Sequence, residues 1–325
     1  MSPPKKKRPL KKARNKRKPS SFNLTRFLSY ILLLLVLTFS VCAVGYVIFF
    51  RTVVAQEIPP SLGSATVFEE PDAPVHKEEW KRKPIEEIVE AIEKNTVGKQ
   101  SQLPKVAIIF DDMGYNEAIG EQLLKFPIEV TYSFLPFAPH TRKLERLAHR
   151  AGKTVFLHLP LEPKNSAFNP GPGALYLKDS PETQREKFAQ CLQEVPHAIG
   201  VNTHMGSAFT EDKPAMTNII QEIKDRSLLF VDSFTTPGSV GLNIARQAEV
   251  KSMGRNVFLD NVLDEEKICH QLEQLVMLSE RNGRAIGIGH PHWETVNAVL
   301  RCGEKYRTRV QYVGVREVVA ATSLK

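Results

Sequence analysis

The chain has 325 residues, of which 42% are hydrophobic and 25% are charged, and its formal net charge is +8. This composition supports a sizeable folded core and excludes collagen-like, wholly disordered and disulfide-scaffold proteins. Eleven Lys and Arg residues lie within residues 1–26, which contain no acidic residue, so the rest of the chain carries a net charge of −3. Because the positive charge is confined to one end, a nucleic-acid-binding body is not expected.

The basic tail precedes a stretch, residues 27–50, that contains no charged residue. These 24 residues span roughly 36 Å at a helical rise of about 1.5 Å, which is enough to cross a bilayer core. The alternative, a cleaved signal peptide, has a shorter apolar region of about 7–15 residues. We therefore predict a single-pass inner-membrane anchor at 27–50, with the tail, 1–26, in the cytoplasm and the rest of the chain in the periplasm or elsewhere outside the cytoplasm.

Residues 51–103 are predicted to form a stem between the anchor and a folded domain. The segment is rich in Pro, Glu and Lys and offers little apolar surface for burial. Apolar residues recur at helical spacing after Pro84, which predicts one helix over 84–95. Two alternatives are open for this helix: it packs on the folded domain or on a protein partner of the cell envelope.

From Pro104 onward, short apolar segments alternate with amphipathic ones, and 104–325 is interpreted as one α/β domain. Seven segments are predicted as strands, with 310–313 as a further one: 106–110, 128–135, 154–157, 198–201, 228–231, 257–258 and 285–288. The helices predicted between them cover 116–125, 142–150, 181–192, 215–224, 242–248, 265–280 and 293–300. A doubly wound sheet and a closed barrel both fit this alternation.

Polar residues follow five of the predicted strands within a few positions. They are Asp111 with Asp112, His158, His204, Asp232 with Ser233, and His290. In an α/β barrel the loops after the strands gather at one face, and that face carries the chemistry. The distribution therefore favours the barrel.

Two adjacent carboxylates, Asp111 and Asp112, end the first strand. Their structural alternative is to cap the next helix, for which one aspartate is enough. Because side chains alternate along a strand, one carboxylate is expected to point toward the barrel axis and the other to the side. This arrangement suits one carboxylate as a metal ligand and the other as a base that activates water.

His158 and His204 are the candidate imidazole ligands, and Glu162 lies four residues after His158. Neutral imidazole and carboxylate are both ordinary zinc ligands. The structural alternatives are a buried core histidine for His158 and a helix-capping turn histidine for His204. For Asp232, helix capping and the orientation of a ligand or base are equally open.

His290 stands between Gly289 and Pro291 after the strand 285–288, which suits a general acid that protonates a leaving group. His292 is interpreted as a surface residue, and Asp260 is a weaker candidate at the end of strand 257–258.

Other site signatures are missing from the sequence. It has no Gly-rich phosphate-binding fingerprint, no G-x-S-x-G elbow and no H-E-x-x-H motif, so kinase, dinucleotide-binding and serine-hydrolase classes are not indicated. Three cysteines lie beyond the anchor, Cys191, Cys269 and Cys302, and no C-x-x-C occurs. Their pairing is left open.

The domain resembles the divergent polysaccharide deacetylase family. The resemblance rests on 106–114 (VAIIFDDMG), 158–163 (HLPLEP), 200–207 (GVNTHMGS), 230–233 (FVDS) and 288–291 (IGHP). It implies an α/β fold, a distorted (β/α) barrel of about seven strands known as the NodB-like deacetylase fold. It also implies a bound divalent metal ion, with Zn²⁺ as the expected cofactor.

The same resemblance implies roles for individual residues. Asp111 matches the catalytic base and Asp112 a metal ligand, while His158 matches the first of two histidine ligands. Glu162 occupies the second histidine position, so His204 is expected to supply the missing imidazole, with Glu162 as a further site residue. The histidine that acts as an acid corresponds to His290. Asp232 is expected to be a further catalytic residue and Ser233 a further site residue.

The implied activity is metal-dependent hydrolysis of acetyl groups on an N- or O-acetylated polysaccharide of the cell envelope, such as a peptidoglycan-like glycan. The alternative is a membrane-tethered, non-catalytic protein that keeps the barrel and serves as a glycan-binding module or envelope scaffold. Glu162 favours this alternative, whereas the remaining acidic and histidine residues favour the enzyme.

Overall fold

A computed structural model describes residues 103–320. Its nine strands are β1 Lys105–Met113, β2 Thr131–Phe134, β3 Thr154–Leu161, β4 Gly200–Met205, β5 Leu229–Asp232, β6 Ser252–Gly254, β7 Val257–Phe258, β8 Arg284–Gly289 and β9 Gln311–Tyr312. Its eight α-helices are α1 Glu117–Leu124, α2 Thr141–Arg150, α3 Pro181–Glu194, α4 Lys213–Asp225, α5 Gly241–Gln247, α6 Glu265–Asn282, α7 Trp293–Gly303 and α8 Val315–Ala320. The predicted tail, anchor and stem, including the helix at 84–95, lie outside the described residues.

All strand pairs are parallel, in the order β6-β5-β4-β3-β2-β1-β8-β7, and β9 pairs with the start of β1. The two ends of this order, β6 and β7, are separated in the chain only by Arg255 and Asn256. The Arg255 amide donates to the Asp232 carbonyl next to β6, and the Asn256 amide donates to the Ile286 carbonyl of β8. The segment that contains β6 and β7 thus pairs with β5 at its start and with β8 at its end. Because it connects the two sides of the sheet in this way, the sheet curls.

The predicted parallel α/β architecture is confirmed, with one more strand in the curled sheet than expected. The difference is β6, whose three residues are too few to produce an alternating pattern in the sequence. Helix α8 was also not predicted, and it has only six residues. The other helices lie within a few residues of their predicted positions.

Side chains of the sheet separate into two apolar layers. Along β1, Val106, Ile108 and Phe110 pack into a large cluster with the surrounding helices, whereas Ala107 and Ile109 join a smaller cluster. The smaller cluster also contains side chains from β3, β5, β7 and β8: Phe156, Leu229, Val231, Phe258, Ile286 and Ile288. Because alternate residues of a strand face opposite sides, this smaller cluster fills the inside of the curl.

Helix α8 contributes Val315, Val318 and Val319 to the same inner cluster. It thereby covers the apolar inside of the sheet near the start of β1 and leaves the carboxyl ends of the strands for polar residues.

Several helix starts follow from capping side chains. Asn116, Ser180, Asp212 and Asp264 each accept a hydrogen bond from a backbone amide of the first turn of α1, α3, α4 and α6. These residues satisfy amides that have no partner within the helix. Helix α6 ends at Gly283, whose φ of 78° lies in the left-handed region.

The structure resolves the cysteine pairing that the sequence left open. Cys269 of α6 and Cys302 of α7 form a disulfide. Cys191 is free and buried, and burial raises the pKa of its thiol to about 12. Cys191 is therefore an inert core thiol at neutral pH.

No helix within residues 103–320 combines the length and apolar character that a membrane span requires.

Candidate functional site

A buried polar layer follows the apolar inner cluster toward the carboxyl ends of the strands. Five of its residues stand two positions after inner apolar residues: Asp111 after Ile109, His158 after Phe156, Ser233 after Val231, Asp260 after Phe258 and His290 after Ile288. The layer also contains the buried side chains of Asp112, Asn202 and His204. Three strands extend further than predicted, so Asp111, His158 and His204 lie inside β1, β3 and β4 rather than after them. The curl therefore brings together residues that are far apart in the chain.

Three side chains of this layer form a candidate metal centre. Asp112 Oδ1 lies 3.3 Å from His158 Nε2 and 3.1 Å from His204 Nδ1, and the two imidazole nitrogens are 3.2 Å apart. Within residues 103–320 this is the only group of three or more His, Cys, Asp or Glu side chains whose donor atoms are close enough to hold one ion.

The spacing of these three donor atoms fits a divalent ion. Donors about 2.0–2.2 Å from one ion lie roughly 2.8–3.6 Å apart in octahedral or tetrahedral geometry. Two imidazoles and one carboxylate form a donor set that suits zinc. The predicted ligand set Asp112, His158 and His204 is thus brought together in one place.

Asp112 reaches the site through an irregularity in β1. Strict alternation would place it with Phe110, on the helix side of the sheet. Its φ is 52°, and the pairing of β1 with β2 shifts register between Phe110 and Met113. Bulges of this kind redirect side chains at strand ends. Both carboxylates of the Asp111–Asp112 pair therefore lie near His158.

Asn202 of β4 connects Asp111 with His158. Its Nδ2 donates to the Asp111 carboxylate, with distances of 2.7 and 2.9 Å to the two oxygens, and its Oδ1 lies 3.1 Å from His158 Nδ1. The Ser133 hydroxyl donates to the same Oδ1 at 2.5 Å. Ser233 belongs to this network because its Oγ accepts from Asn202 Nδ2 at 3.3 Å. The sequence-based prediction missed Asn202, because a neutral amide inside a strand carries no signal of its own.

Asp260 and His290 form a second unit of the polar layer. The Asp260 carboxylate accepts from His290 Nδ1 at 2.9 Å, from the His290 amide at 2.6 Å and from the Thr295 hydroxyl at 2.7 Å. Burial alone would raise the pKa of Asp260, yet His290 and these hydrogen bonds hold it below its usual value. A charged carboxylate on Nδ1 orients the ring and stabilises its protonated form, which is the arrangement of a proton-transfer histidine.

Two further rings lie beside His290. The Phe258 ring lies 6.3 Å from the His290 ring. The Arg255 guanidinium stacks on Phe258, 3.7 Å from the centroid of its ring. His292, predicted as a surface residue, is instead partly buried, with its ring 6.3 Å from that of His290. Burial, and then the neighbouring His290, lower the pKa of His292.

Asp232 is placed differently from the other predicted site residues. Because residues two apart on a strand face the same side, it shares the orientation of Phe230, which belongs to the large cluster on the helix side of the sheet. Its carboxylate accepts from the amides of Phe234 and Leu242 and from the Ser239 hydroxyl. Burial raises the pKa of Asp232 although these hydrogen bonds lower it. The contact with Leu242 in the first turn of α5 agrees with the helix-capping alternative, and the catalytic role stays a prediction.

Glu162 lies outside the group of three donor side chains. Its Oε2 accepts from the Leu177 amide at 2.5 Å, and its backbone carbonyl accepts from the amides of Ala208 and Phe209. In this position Glu162 holds together the loops that follow β3 and β4. Its role as an additional ligand stays a prediction.

The fold and this layer define a parallel α/β domain in which two histidines and one carboxylate form a candidate metal centre, beside a carboxylate–histidine pair. A family model for the divergent polysaccharide deacetylases matches residues 108–319. The chain belongs to this family, which confirms the resemblance seen in the sequence.

Similar proteins occur in several bacteria. The uncharacterised protein YibQ of Escherichia coli is 33% identical over 196 residues, which are 60% of this chain and 61% of YibQ. An uncharacterised protein of Haemophilus influenzae is 33% identical over 199 residues, which are 61% of this chain and 70% of that protein. The match thus spans less than two thirds of YibQ. A solved structure of an uncharacterised Agrobacterium tumefaciens protein has a TM-score of 0.64 at 25% identity, covering 71% of this chain and 94% of that one.

Proposed function

We propose that the domain is a metal-dependent deacetylase that hydrolyses acetyl groups on an N- or O-acetylated polysaccharide of the cell envelope. The observation that carries this proposal is the pairing, in one buried layer, of a compact donor set with a carboxylate-held histidine. Hydrolysis of an amide or ester needs a polarised carbonyl, a base for water and an acid for the leaving group.

In this proposal the metal ligands are the three side chains whose donor atoms lie close together. Asp112, His158 and His204 hold a divalent ion, with zinc expected from the ligand types. When bound, such an ion supplies Lewis-acid polarisation of the acetyl carbonyl and makes water more acidic.

The chain's other polar residues move the protons. Asp111, held by Asn202, takes the proton from the attacking water. His290, oriented by Asp260 through Nδ1, donates a proton from its other ring nitrogen to the departing nitrogen or oxygen. Acetate and the deacetylated glycan are the products.

We further propose that the domain works in the periplasm, tethered to the inner membrane by the predicted anchor at 27–50. The Cys269–Cys302 disulfide supports this location, because disulfides persist in oxidising compartments such as the periplasm. A peptidoglycan-like glycan is the class of acetylated polymer that a tethered periplasmic enzyme reaches.

A second candidate is a glycan-binding or scaffold protein that has the barrel without the activity. Glu162 favours it, because this residue stands where the family's second histidine ligand is expected and its carboxylate binds the Leu177 amide instead.

The test is acetate release by the zinc-loaded, full-length chain from N-acetylchitooligosaccharides and from O-acetylated peptidoglycan, with D111N as the comparison. The deacetylase predicts release by the wild type and loss of release in D111N, which keeps its fold. Glycan binding by both proteins without any acetate release would instead support the scaffold.

A further inference from the structure

We infer that Asn202 is a positioning residue: it sets which ring nitrogen of His158 is available as a ligand and couples that choice to Asp111. The inference rests on the proposed function only in taking His158 as a metal ligand.

The argument begins with the orientation of the Asn202 amide. Asp111 is fully buried, and an ionised carboxylate can only accept hydrogen bonds. Both Asp111 oxygens lie within 2.9 Å of one Asn202 side-chain atom, so that atom is the NH₂ nitrogen. The Ser133 hydroxyl donates to the other end of the amide, which is therefore the oxygen.

The orientation of the amide determines the proton position on His158. The Asn202 Oδ1 has no hydrogen to donate, and it lies 3.1 Å from His158 Nδ1, so Nδ1 carries the proton in this contact. A neutral imidazole has one N–H, which leaves a lone pair on Nε2. That nitrogen is the one that lies 3.3 Å from Asp112 Oδ1 and 3.2 Å from His204 Nδ1. Asn202 thus directs the lone pair into the metal centre.

The register of the sheet makes this contact specific. His158 of β3 pairs directly with Asn202 of β4, so the two side chains emerge on the same side of the sheet. The same amide also contacts Asp111. A change at Asn202 is therefore expected to alter both the ligand and the residue proposed as base, whereas a change at Ser133 removes only one hydrogen bond to the amide oxygen.

The first experiment measures Zn²⁺ affinity of the full-length chain by competition with a chromophoric chelator. Partners that orient metal-binding histidines typically contribute about 10–100-fold in affinity, so we expect N202L to weaken zinc binding by that factor. The matched control S133A is expected to stay within about threefold of the wild type. Thermal unfolding of each variant establishes that it is folded.

A second variant keeps the hydrogen bonds and moves the charge. In D111N/N202D the amide and the carboxylate exchange places, and the acceptor for His158 Nδ1–H is preserved. We expect zinc affinity within about threefold of the wild type. In zinc-loaded protein labelled with ¹⁵N-histidine, the His158 Nδ1–H signal is expected in the wild type, S133A and the exchange variant, with faster solvent exchange in N202L.

The outcomes separate this inference from the proposed function. Equal zinc affinity of folded N202L and the wild type overturns the role of Asn202, as does failure of the wild type to bind zinc. Weaker zinc binding by N202L, without acetate release from any glycan by the wild type, supports Asn202 and removes the deacetylase proposal.

Discussion

The two halves of the polar layer use histidine in different ways, and the difference lies in the partner of Nδ1. On the β3–β4 side, the nearest partner of His158 Nδ1 is the Asn202 amide oxygen at 3.1 Å, with the Asp111 carboxylate at 3.7 Å. On the β7–β8 side, His290 Nδ1 donates to the carboxylate of Asp260. The amide oxygen orients the His158 ring by accepting the Nδ1–H, whereas the carboxylate of Asp260 orients the His290 ring and stabilises its imidazolium. The first arrangement directs the Nε2 lone pair of His158 toward the candidate metal centre, and the second prepares His290 to give up a proton.

The two halves are also held in different ways. The Cys269–Cys302 disulfide joins α6 and α7, the helices that follow Asp260 and His290. The side with the candidate metal centre has no disulfide within the described residues and depends on the register of β3 and β4 and on the bulge at Asp112. Substitutions in the two halves are therefore expected to have separable effects on metal content, turnover and stability.

The largest effect is expected from removing the imidazole ligands. H158A and H204A should each reduce bound zinc from about one equivalent to nearly none, because two protein ligands hold a divalent ion poorly. Metal analysis of the purified proteins measures this. H270A, which changes an exposed histidine of α6, is the control and should retain its zinc. Full zinc content in H158A or H204A would contradict the assigned centre.

A smaller effect is expected from the acid side. H290A and D260N should lower the rate of acetate release by about 10²–10⁴-fold, the usual contribution of general acid–base catalysis. Because neither residue belongs to the donor set, both variants should bind zinc like the wild type. Loss of zinc from H290A would mean that the two halves of the layer are not separate.

Reduction of the disulfide should change stability rather than chemistry. The bond closes a loop with a sequence separation of 33 residues. Loss of a link across a loop of that length destabilises the folded state by about 3–4 kcal/mol in the chain-entropy account. Unfolding of the wild type and of C269S/C302S, each with and without reductant, measures the difference. A wild type that is equally stable in reductant would contradict the expectation.

Native Cys191 should remain unlabelled by iodoacetamide because its pKa is raised to about 12.

The smallest effect is expected from pH, with opposite signs for two buried aspartates. The lowered pKa of Asp260 means that its stabilising contribution is complete above its ordinary pKa of about 3.9 and is lost as the pH falls through the lowered value. The raised pKa of Asp232 means that its ionisation costs stability, which returns as the pH falls through the raised value.

Denaturant unfolding of the wild type, D260N and D232N between about pH 7 and pH 3 measures both trends. The stability advantage of the wild type over D260N should shrink on acidification, and its advantage over D232N should grow. Trends of the same sign would contradict the assigned environments.

Much of the site could be predicted because polar residues are unusual at the end of an apolar strand. Asp111, His158 and His290 are each two positions after an inner apolar residue, a period that the sequence displays directly. Applied to Asp232, the same rule groups it with Phe230 on the helix side, where its contacts with α5 are found.

The inward orientation of Asp112, which the family resemblance names as a metal ligand, and the contacts of Asn202 required the structure. Alternation places Asp112 on the wrong side, and only the register shift and the left-handed φ turn it inward. Asn202 has no distinguishing pattern until β3 and β4 pair and bring it opposite His158. The pairing of Asp260 with His290 likewise depends on the neighbouring positions of β7 and β8.

Local sequence was thus sufficient for the succession of strands and helices, the family and most of the candidate site residues, because periodicity and helix capping act over a few neighbours. The curl of the sheet decided which of those side chains meet and which nitrogen of each imidazole is committed to a partner, and the packing of α6 against α7 decided which cysteines pair. These properties depend on contacts between residues as far apart as Asp111 and Asn202, 91 positions in the chain, and such contacts exist only when the strands are in register.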